Sequence, residues 1–313
     1  MRPLVLPLPG NTELAARLAA RLDAELGALH SRRFPDGETY VRLDSPVEAR
    51  DVVLVCTLDR PDDKVVPLCF AAATARELGA ARVGLVAPYL AYMRQDARFR
   101  PGEGISSRYF GTLLSQQVDW IVTVDQHLHR HRSLDEVYAV PSAVVSAAPA
   151  VAAWIRATYA SPVLVGPDEE STQWVRAVAE LAGAPHVILE KVRRGDRDVV
   201  VSVPDVERWR DRTPVLFDDI VSTAQTMVTT AGHLRRAGLA PPVCIGVHAV
   251  CVDGAEAALQ AAGAARLVTC DTIPHPTNAI ELVDPIVAAV RSLVTATLAR
   301  RSVSSIADAR RRH

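Results

Sequence analysis

The chain has 313 residues, 49% of them hydrophobic, with 35 basic and 36 acidic side chains for a formal net charge of −1. That balance argues against a nucleic-acid or membrane-surface binder, and the apolar content is enough for two domains. Five cysteines (Cys56, Cys69, Cys244, Cys251, Cys270) lie mostly in apolar runs and read as buried thiols of a cytoplasmic protein, not as a disulfide or zinc framework. No signal-peptide layout is expected at the start, since Leu4 to Leu8 is short and broken by Pro7. The most apolar stretch, Val140 to Ile155, is interrupted by Pro141 and Pro149 and is too short to span a bilayer.

In chain order, Leu4 to Leu8 predicts a first strand and Thr12 to Leu26 a helix, with leucines at 14, 18, 22 and 26. After a second strand comes Arg33-Phe34-Pro35-Asp36-Gly37-Glu38-Thr39-Tyr40, whose Pro-Asp-Gly predicts a hairpin tip. Asp51 to Pro88 then reads strand, loop, helix (about Lys64 to Leu78), Gly79, strand, and Pro214 to Val250 repeats that order with its helix ending at Gly238. A duplicated doubly wound domain is the simplest account of the two units.

Pro88 to Arg108 is the longest polar loop after a buried strand, a position where α/β proteins place ligands. Its arginines could simply solvate a surface, or offer paired hydrogen bonds to phosphate oxygens. Asp119 to Val124 is another buried strand, followed by Asp125-Gln-His127-Leu-His129-Arg-His131. No matching Cys or Glu cluster supports zinc there. A helix over Ser142 to Thr158 is expected to link to a second half with a strand at Val163 to Val165 and a helix at Ser171 to Leu181. Between them lies Asp168-Glu-Glu170, acids that favour a helix N-terminus. Glu190 to Arg197 reads as a charged β-turn, and carries Lys191, which with Lys64 completes the chain's lysines. A final helix is expected from about Ile280, and Ser302 to His313 reads as a frayed tail.

The most informative stretch runs from Thr213 to Met227. A buried-strand pattern, Val215 to Phe217, ends in Asp218 and Asp219, and the hydroxyl-rich Ser222-Thr223-Ala224-Gln225-Thr226 leads into a helix. Amides at a helix start have no internal partners and suit a phosphate, while the acids can accept hydrogen bonds from ribose hydroxyls. This segment resembles the phosphoribosyl-pyrophosphate motif of phosphoribosyltransferases and of ribose-phosphate pyrophosphokinases. It departs from that motif at Ala224 and Gln225, where the family usually has two glycines, and neither residue tolerates positive φ as glycine does.

The Phe34 hairpin and the Tyr92-x-Arg94-Gln95-Asp96 loop resemble the kinase family specifically, and the resemblance spans roughly residues 3 to 295. It implies two phosphoribosyltransferase-type α/β domains with largely parallel sheets, related by pseudo-symmetry. We divide them as 1–145 and 146–300, with a tail at 301–313. It further implies a transferase that moves the β,γ-diphosphoryl group of ATP, as its Mg²⁺ complex, to the C1 hydroxyl of ribose 5-phosphate. ATP would be held by Phe34, Asp36 and Glu38, reaching from a neighbouring subunit, and by Arg94, Gln95, Asp96 and Arg98. Ribose 5-phosphate would lie against Asp218, Asp219, Ser222, Thr223, Ala224, Gln225 and Thr226. Lys191 and Arg193 would stabilise the transition state, and His127 and Asp168 would serve the metal. The cross-subunit hairpin implies a homo-oligomer, at least a dimer. A phosphoribosyltransferase, or a non-catalytic regulatory paralogue, is the rival reading.

Overall fold

The computed structural model describes residues 1–126, 133–167, 171–194, 198–202, 204, 206–251 and 254–295, for 190–194 and 198–202 the backbone only. The chain divides into two compact units, Met1–Val145 together with the chain from Val283, and Ser146–Leu282.

In the first unit β1 (Leu4–Pro7), α1 (Thr12–Leu22) and β2 (Glu25–Leu26) are followed by a hairpin of β3 (Leu29–Arg33) and β4 (Thr39–Leu43). Then come β5 (Asp51–Val55), α2 (Pro61–Glu77), β6 (Arg82–Val86), α3 (Ser106–Gln117), β7 (Trp120–Val124) and β8 (Ser142–Val145). The sheet runs β2-β1-β5-β6-β7-β8, and every pairing in it is parallel. Because crossover helices cover a parallel sheet, its central strands are buried on both faces, as Val52 to Val55 and Ile121 to Val124 show. Gly84 is fixed by packing: a Cβ there would sit 2.0 Å from the Trp120 ring on the next strand.

The second unit opens with α4 (Ala148–Thr158), β9 (Pro162–Gly166), α5 (Thr172–Ala182) and β10 (His186–Ile188). A hairpin of β11 (Glu190–Arg194) and β12 (Asp198–Ser202) follows. Next are β13 (Thr213–Val221), α6 (Gln225–Arg236), β14 (Val243–Ala249), α7 (Ala255–Ala262), β15 (Arg266–Cys270) and β16 (Asn278–Ile280). Its parallel sheet runs β10-β9-β13-β14-β15-β16. Position by position this repeats the first sheet, and in each unit a two-stranded antiparallel hairpin follows the second strand.

A last helix, α8 over 283–295, belongs to the first unit, whereas the sequence division carried the second domain to residue 300. The buried Arg82 guanidinium explains the placement: it grips both carboxylate oxygens of Asp51 at 2.6 Å and donates to the Val294 carbonyl at 3.0 Å. Arg291 adds a bond to the Arg21 carbonyl at 2.7 Å.

Three expected elements differ. The first helix stops at Leu22, because Asp23 turns left-handed (φ 52°) and returns its N–H to Ala19; Leu26 then joins a strand beside Val5. Residues 142–158 are not one helix: Ser142–Val145 pair with β7, and Pro149 in the first turn of α4 sets the helix start. The charged segment 190–194 is a strand paired with 198–202, with Lys191 opposite Val201 and Arg193 opposite Val199.

Candidate active site

The first unit supplies two candidate segments. In the hairpin, Arg33 pairs with Thr39, the Phe34 amide donates to the Glu38 carbonyl at 2.8 Å, and the Gly37 amide to the Phe34 carbonyl at 2.9 Å. Gly37 carries a φ of +95° that an L side chain rarely adopts. Asp36 has local work as well, accepting the Glu38 amide at 3.2 Å. Phe34 remains 38% exposed at the tip. The Arg32 guanidinium lies over both Phe34 and Tyr40, 4.4 and 4.6 Å from the ring centroids, so one aromatic surface already has a cation on it.

The long loop between β6 and α3 is fixed at both ends. Leu90, Ala91 and Met93 are buried, which leaves Arg94 exposed, and Asp96 is buried two residues on. Glu103 organises the rest: its carboxylate accepts the amides of Phe99 (2.8 Å) and Arg100 (3.0 Å) and the Gln95 side-chain amide (3.1 Å). Arg98 donates to the Glu103 carbonyl at 3.0 Å. Gln95 and Arg98 are thus pre-oriented by a residue that the sequence did not single out. Its only sequence signal was an acid between two glycines. Tyr92, in left-handed backbone (φ 62°), donates its hydroxyl to Asp62 on α2 and packs against Phe110 at 4.7 Å. That bond to a carboxylate, with burial, pushes the Tyr92 pKa up to about 12.

In the second unit β13 runs beyond the expected apolar core and includes both acids, with Asp218 opposite Gly246 and Val221 opposite Ala249. Asp218 and Asp219 therefore stand on a sheet strand near its carboxyl end, half-buried, and Asp218 accepts the Asp219 amide at 2.9 Å. Ser222 and Thr223 make the turn, and Ala224 caps α6 in left-handed backbone, φ 56° and ψ 13°. Ala224 thus adopts the positive φ that the sequence reading reserved for glycine, and its methyl is buried in the core of this unit. Gln225 needs no such freedom, being the first helical residue. Thr223, Gln225 and Thr226 are exposed around the helix start, and the Gln225 amide reaches the Thr223 hydroxyl at 3.4 Å. His248, buried and opposite Ile220, bonds Thr272 Oγ1 through Nδ1 at 2.9 Å. A histidine in an otherwise apolar strand was its sole signal.

His127 and Asp168 lie outside the described residues, and of Lys191 and Arg193 only the backbone is described. Among the described residues, no group of three or more His, Cys, Asp or Glu side chains could hold a metal ion. No helix among them is long and apolar enough to cross a membrane.

Two parallel sheets of the same strand order, each with polar loops beyond its strand ends, make a doubly wound α/β protein that can take ligands at those loops. A model of the phosphoribosyl transferase domain matches residues 133–289, and one of the N-terminal domain of ribose phosphate pyrophosphokinase matches residues 4–117. A ribose-phosphate pyrophosphokinase of Methanopyrus kandleri is 34% identical over 93% of this chain and 99% of its own length. One of Methanothermobacter thermautotrophicus is 33% identical over 92% and 99%. The crystal structure of phosphoribosylpyrophosphate synthetase from Mycobacterium smegmatis shares the fold, with a TM-score of 0.80 at 24% identity over 94% of this chain and 99% of that one. The chain belongs to the ribose-phosphate pyrophosphokinase family.

Proposed function

We propose that the chain is a ribose-phosphate diphosphokinase, which makes phosphoribosyl pyrophosphate and AMP from ATP and ribose 5-phosphate. The observation that carries the reading is the family likeness over 93% of the chain, including the hairpin and the 88–105 loop as well as the Asp218 to Thr226 segment. The C1 hydroxyl oxygen forms a bond to the β-phosphorus, the bond from that phosphorus to the α–β bridging oxygen breaks, and AMP leaves. The hydroxyl proton passes to water, with no side chain assigned to it.

Phosphoryl-type transfer needs positioning and charge neutralisation more than covalent participation. In this reading Arg94, Gln95, Asp96 and Arg98 hold the nucleotide, with Phe34, Asp36 and Glu38 of a second copy at its base. Asp218 and Asp219 take the ribose hydroxyls, and the Ser222 to Thr226 segment takes the 5-phosphate. Lys191 and Arg193 neutralise charge on the transferred group. Magnesium prefers oxygen ligands and keeps several waters, so it would arrive on the ATP phosphates, with His127 and Asp168 nearby. The five free cysteines fit a reducing cytoplasm.

Self-association is supported by α2 and α3. Helix α2 buries Leu68, Ala71, Ala72 and Ala75 yet also exposes Val66 (45%) and Phe70 (48%), and α3 exposes Tyr109 (60%) and Leu113 (38%). A helix that keeps large apolar side chains on an exposed face as well as on its buried one is often covered there too, and a second copy of the chain would cover this one.

Phosphorus NMR of the protein with MgATP and ribose 5-phosphate tests the activity. Appearance of AMP with a sugar-attached diphosphate is expected. ADP would mean single-phosphoryl transfer, and ATP binding without turnover would mean a regulatory relative.

A further inference from the structure

Among the described residues, six other than glycine hold a positive φ: Asp23, Ala49, Arg60, Tyr92, Asp125 and Ala224. Asp23, Arg60 and Ala224 border helices, where one left-handed residue ends or starts the helix. Tyr92, at φ 62°, borders none, and its bulk makes that backbone hard to hold. It stands in the 88–105 loop, two residues before Arg94. Backbone strain of this kind persists only where the surroundings over-determine it, and it gathers at functional sites.

Two side-chain contacts and two buried neighbours hold Tyr92 there. Its hydroxyl donates to the Asp62 carboxylate in the first turn of α2, and its ring meets Phe110 of α3 with 4.7 Å between centroids. On either side Ala91 and Met93 are buried, and the Tyr138 hydroxyl reaches Met93 Sδ at 4.0 Å. The chain is thus tied to the core at 91 and 93 and turns at 92, which leaves Arg94 exposed. Asp62 makes no ion pair among the described residues, whereas the next acid, Asp63, pairs with Arg33 of the hairpin at 2.6 Å. Its carboxylate is left to the phenol, and a hydrogen bond to an ionised acceptor is the stronger kind. The helix dipole favours an acid at this place, but gives no reason for a strained tyrosine to reach it. Beyond Arg94 the loop is held by Glu103, so Arg94 lies between two carboxylate anchors, Asp62 before it and Glu103 after it.

On the reading of this loop as the nucleotide contact, we propose that Tyr92 and Asp62 are a pair of positioning residues for ATP. The Asp62 carboxylate holds Tyr92 in its left-handed turn, and that turn sets where Arg94 and Gln95 meet the phosphates. Neither member of the pair touches the nucleotide: the phenol proton is committed to Asp62, and Asp62 would repel the phosphates.

Isothermal titration calorimetry of the full chain with MgATP, without ribose 5-phosphate, reads affinity without turnover. Tyr92→Phe keeps the ring and loses the hydroxyl, and Asp62→Ala loses the acceptor. Each is expected to weaken MgATP binding about 3- to 10-fold, as for loss of one hydrogen bond, with unchanged stoichiometry. A purely structural role would instead lower the melting temperature and the bound fraction, and leave the affinity of folded molecules at the wild-type value. Because the two side chains act through one bond, the double variant should bind no more weakly than either single one. Asp62→Asn keeps an acceptor oxygen and should restore most of the affinity. Asp62 is exposed, so Asp62→Ala removes the same bond should Tyr92→Phe fail to fold. Wild-type affinity in the folded variants, or losses that add in the double variant, would overturn the pair. A wild type that takes up no MgATP would overturn the nucleotide reading itself, and the pair with it.

Discussion

Replacing Ala224 and Gln225 with glycine, one at a time, separates two kinds of backbone at the proposed phosphate loop. Ala224 sits at φ 56°, where an L side chain costs roughly 1–2 kcal/mol relative to right-handed helix. Ala224→Gly relieves that strain. It also removes a methyl only 7% exposed, about 0.8 kcal/mol of burial, and frees the unfolded chain by about 0.4–1 kcal/mol. The terms nearly cancel, so Ala224→Gly should change stability by less than about 1 kcal/mol. Gln225 is helical, and Gln225→Gly should lose about 0.5–1 kcal/mol with no strain to offset it. Ala224→Val, branched at a positive φ in a packed site, should lose at least 1–3 kcal/mol, roughly the cost of overpacking alone. Urea unfolding followed by tryptophan fluorescence suits the comparison, since Trp154, Trp174 and Trp209 of the four tryptophans lie in the second unit. If Ala224→Gly proved the more damaging glycine by 2 kcal/mol or so, the strain argument would be wrong.

Lys191→Ala should lower turnover on the order of 10²–10³-fold, as for loss of one pre-organised transition-state donor, while nucleotide affinity stays close to wild type. Normal single-turnover rates in that variant would remove Lys191 from the mechanism. Glu103→Ala should release the Phe99 and Arg100 amides and the Gln95 side chain, raising KM for MgATP about 10-fold or more with a smaller change in kcat. Glu103→Gln, which keeps an acceptor oxygen, should restore part of the loss, and equal KM values in all three proteins would show that the loop is held by other contacts. Burial pushes the Cys56 and Cys244 thiols up to about 12, so neither should alkylate in the native protein at neutral or mildly alkaline pH. The partly exposed Cys69 and Cys251 should react first, and early labelling of Cys56 by mass spectrometry would contradict the buried β5 terminus.

The buried strands were legible because a parallel sheet covered on both faces demands continuous apolar runs. Val52 to Val55 and Val163 to Val165 carry that pattern without interruption, and Ile121 to Val124 carries it with one buried threonine, Thr123. The hairpin was legible from Pro35-Asp36-Gly37, because the turn needs those residue types. Elements whose limits depend on partners were harder to read. Residues 142–145 satisfy a helical pattern as well as a strand pattern, and only the edge offered by β7 decides between them. Likewise α8 reads as a continuation of the second half, and the buried Arg82 that claims it lies 212 positions away in sequence. At the site, residue types with a recognisable ligand chemistry stood out, such as Arg94 and Asp218. Glu103 and His248 did not, because their hydrogen bonds run to other protein groups and leave no spacing signature.

The departure at Ala224 shows why sequence alone overstated the need for glycine. The loop requires one left-handed residue, and a small side chain can occupy it when packing over-determines the position. Here the buried methyl supplies that packing, and the Val228 amide closes the first helical turn on the Ala224 carbonyl at 2.8 Å. Arg60 holds the same conformation before α2 in the first unit, followed by Pro61, whose fixed φ suits a helix start. Both units therefore enter this helix through one left-handed residue, although one segment carries hydroxyls and the other Arg-Pro-Asp-Asp-Lys.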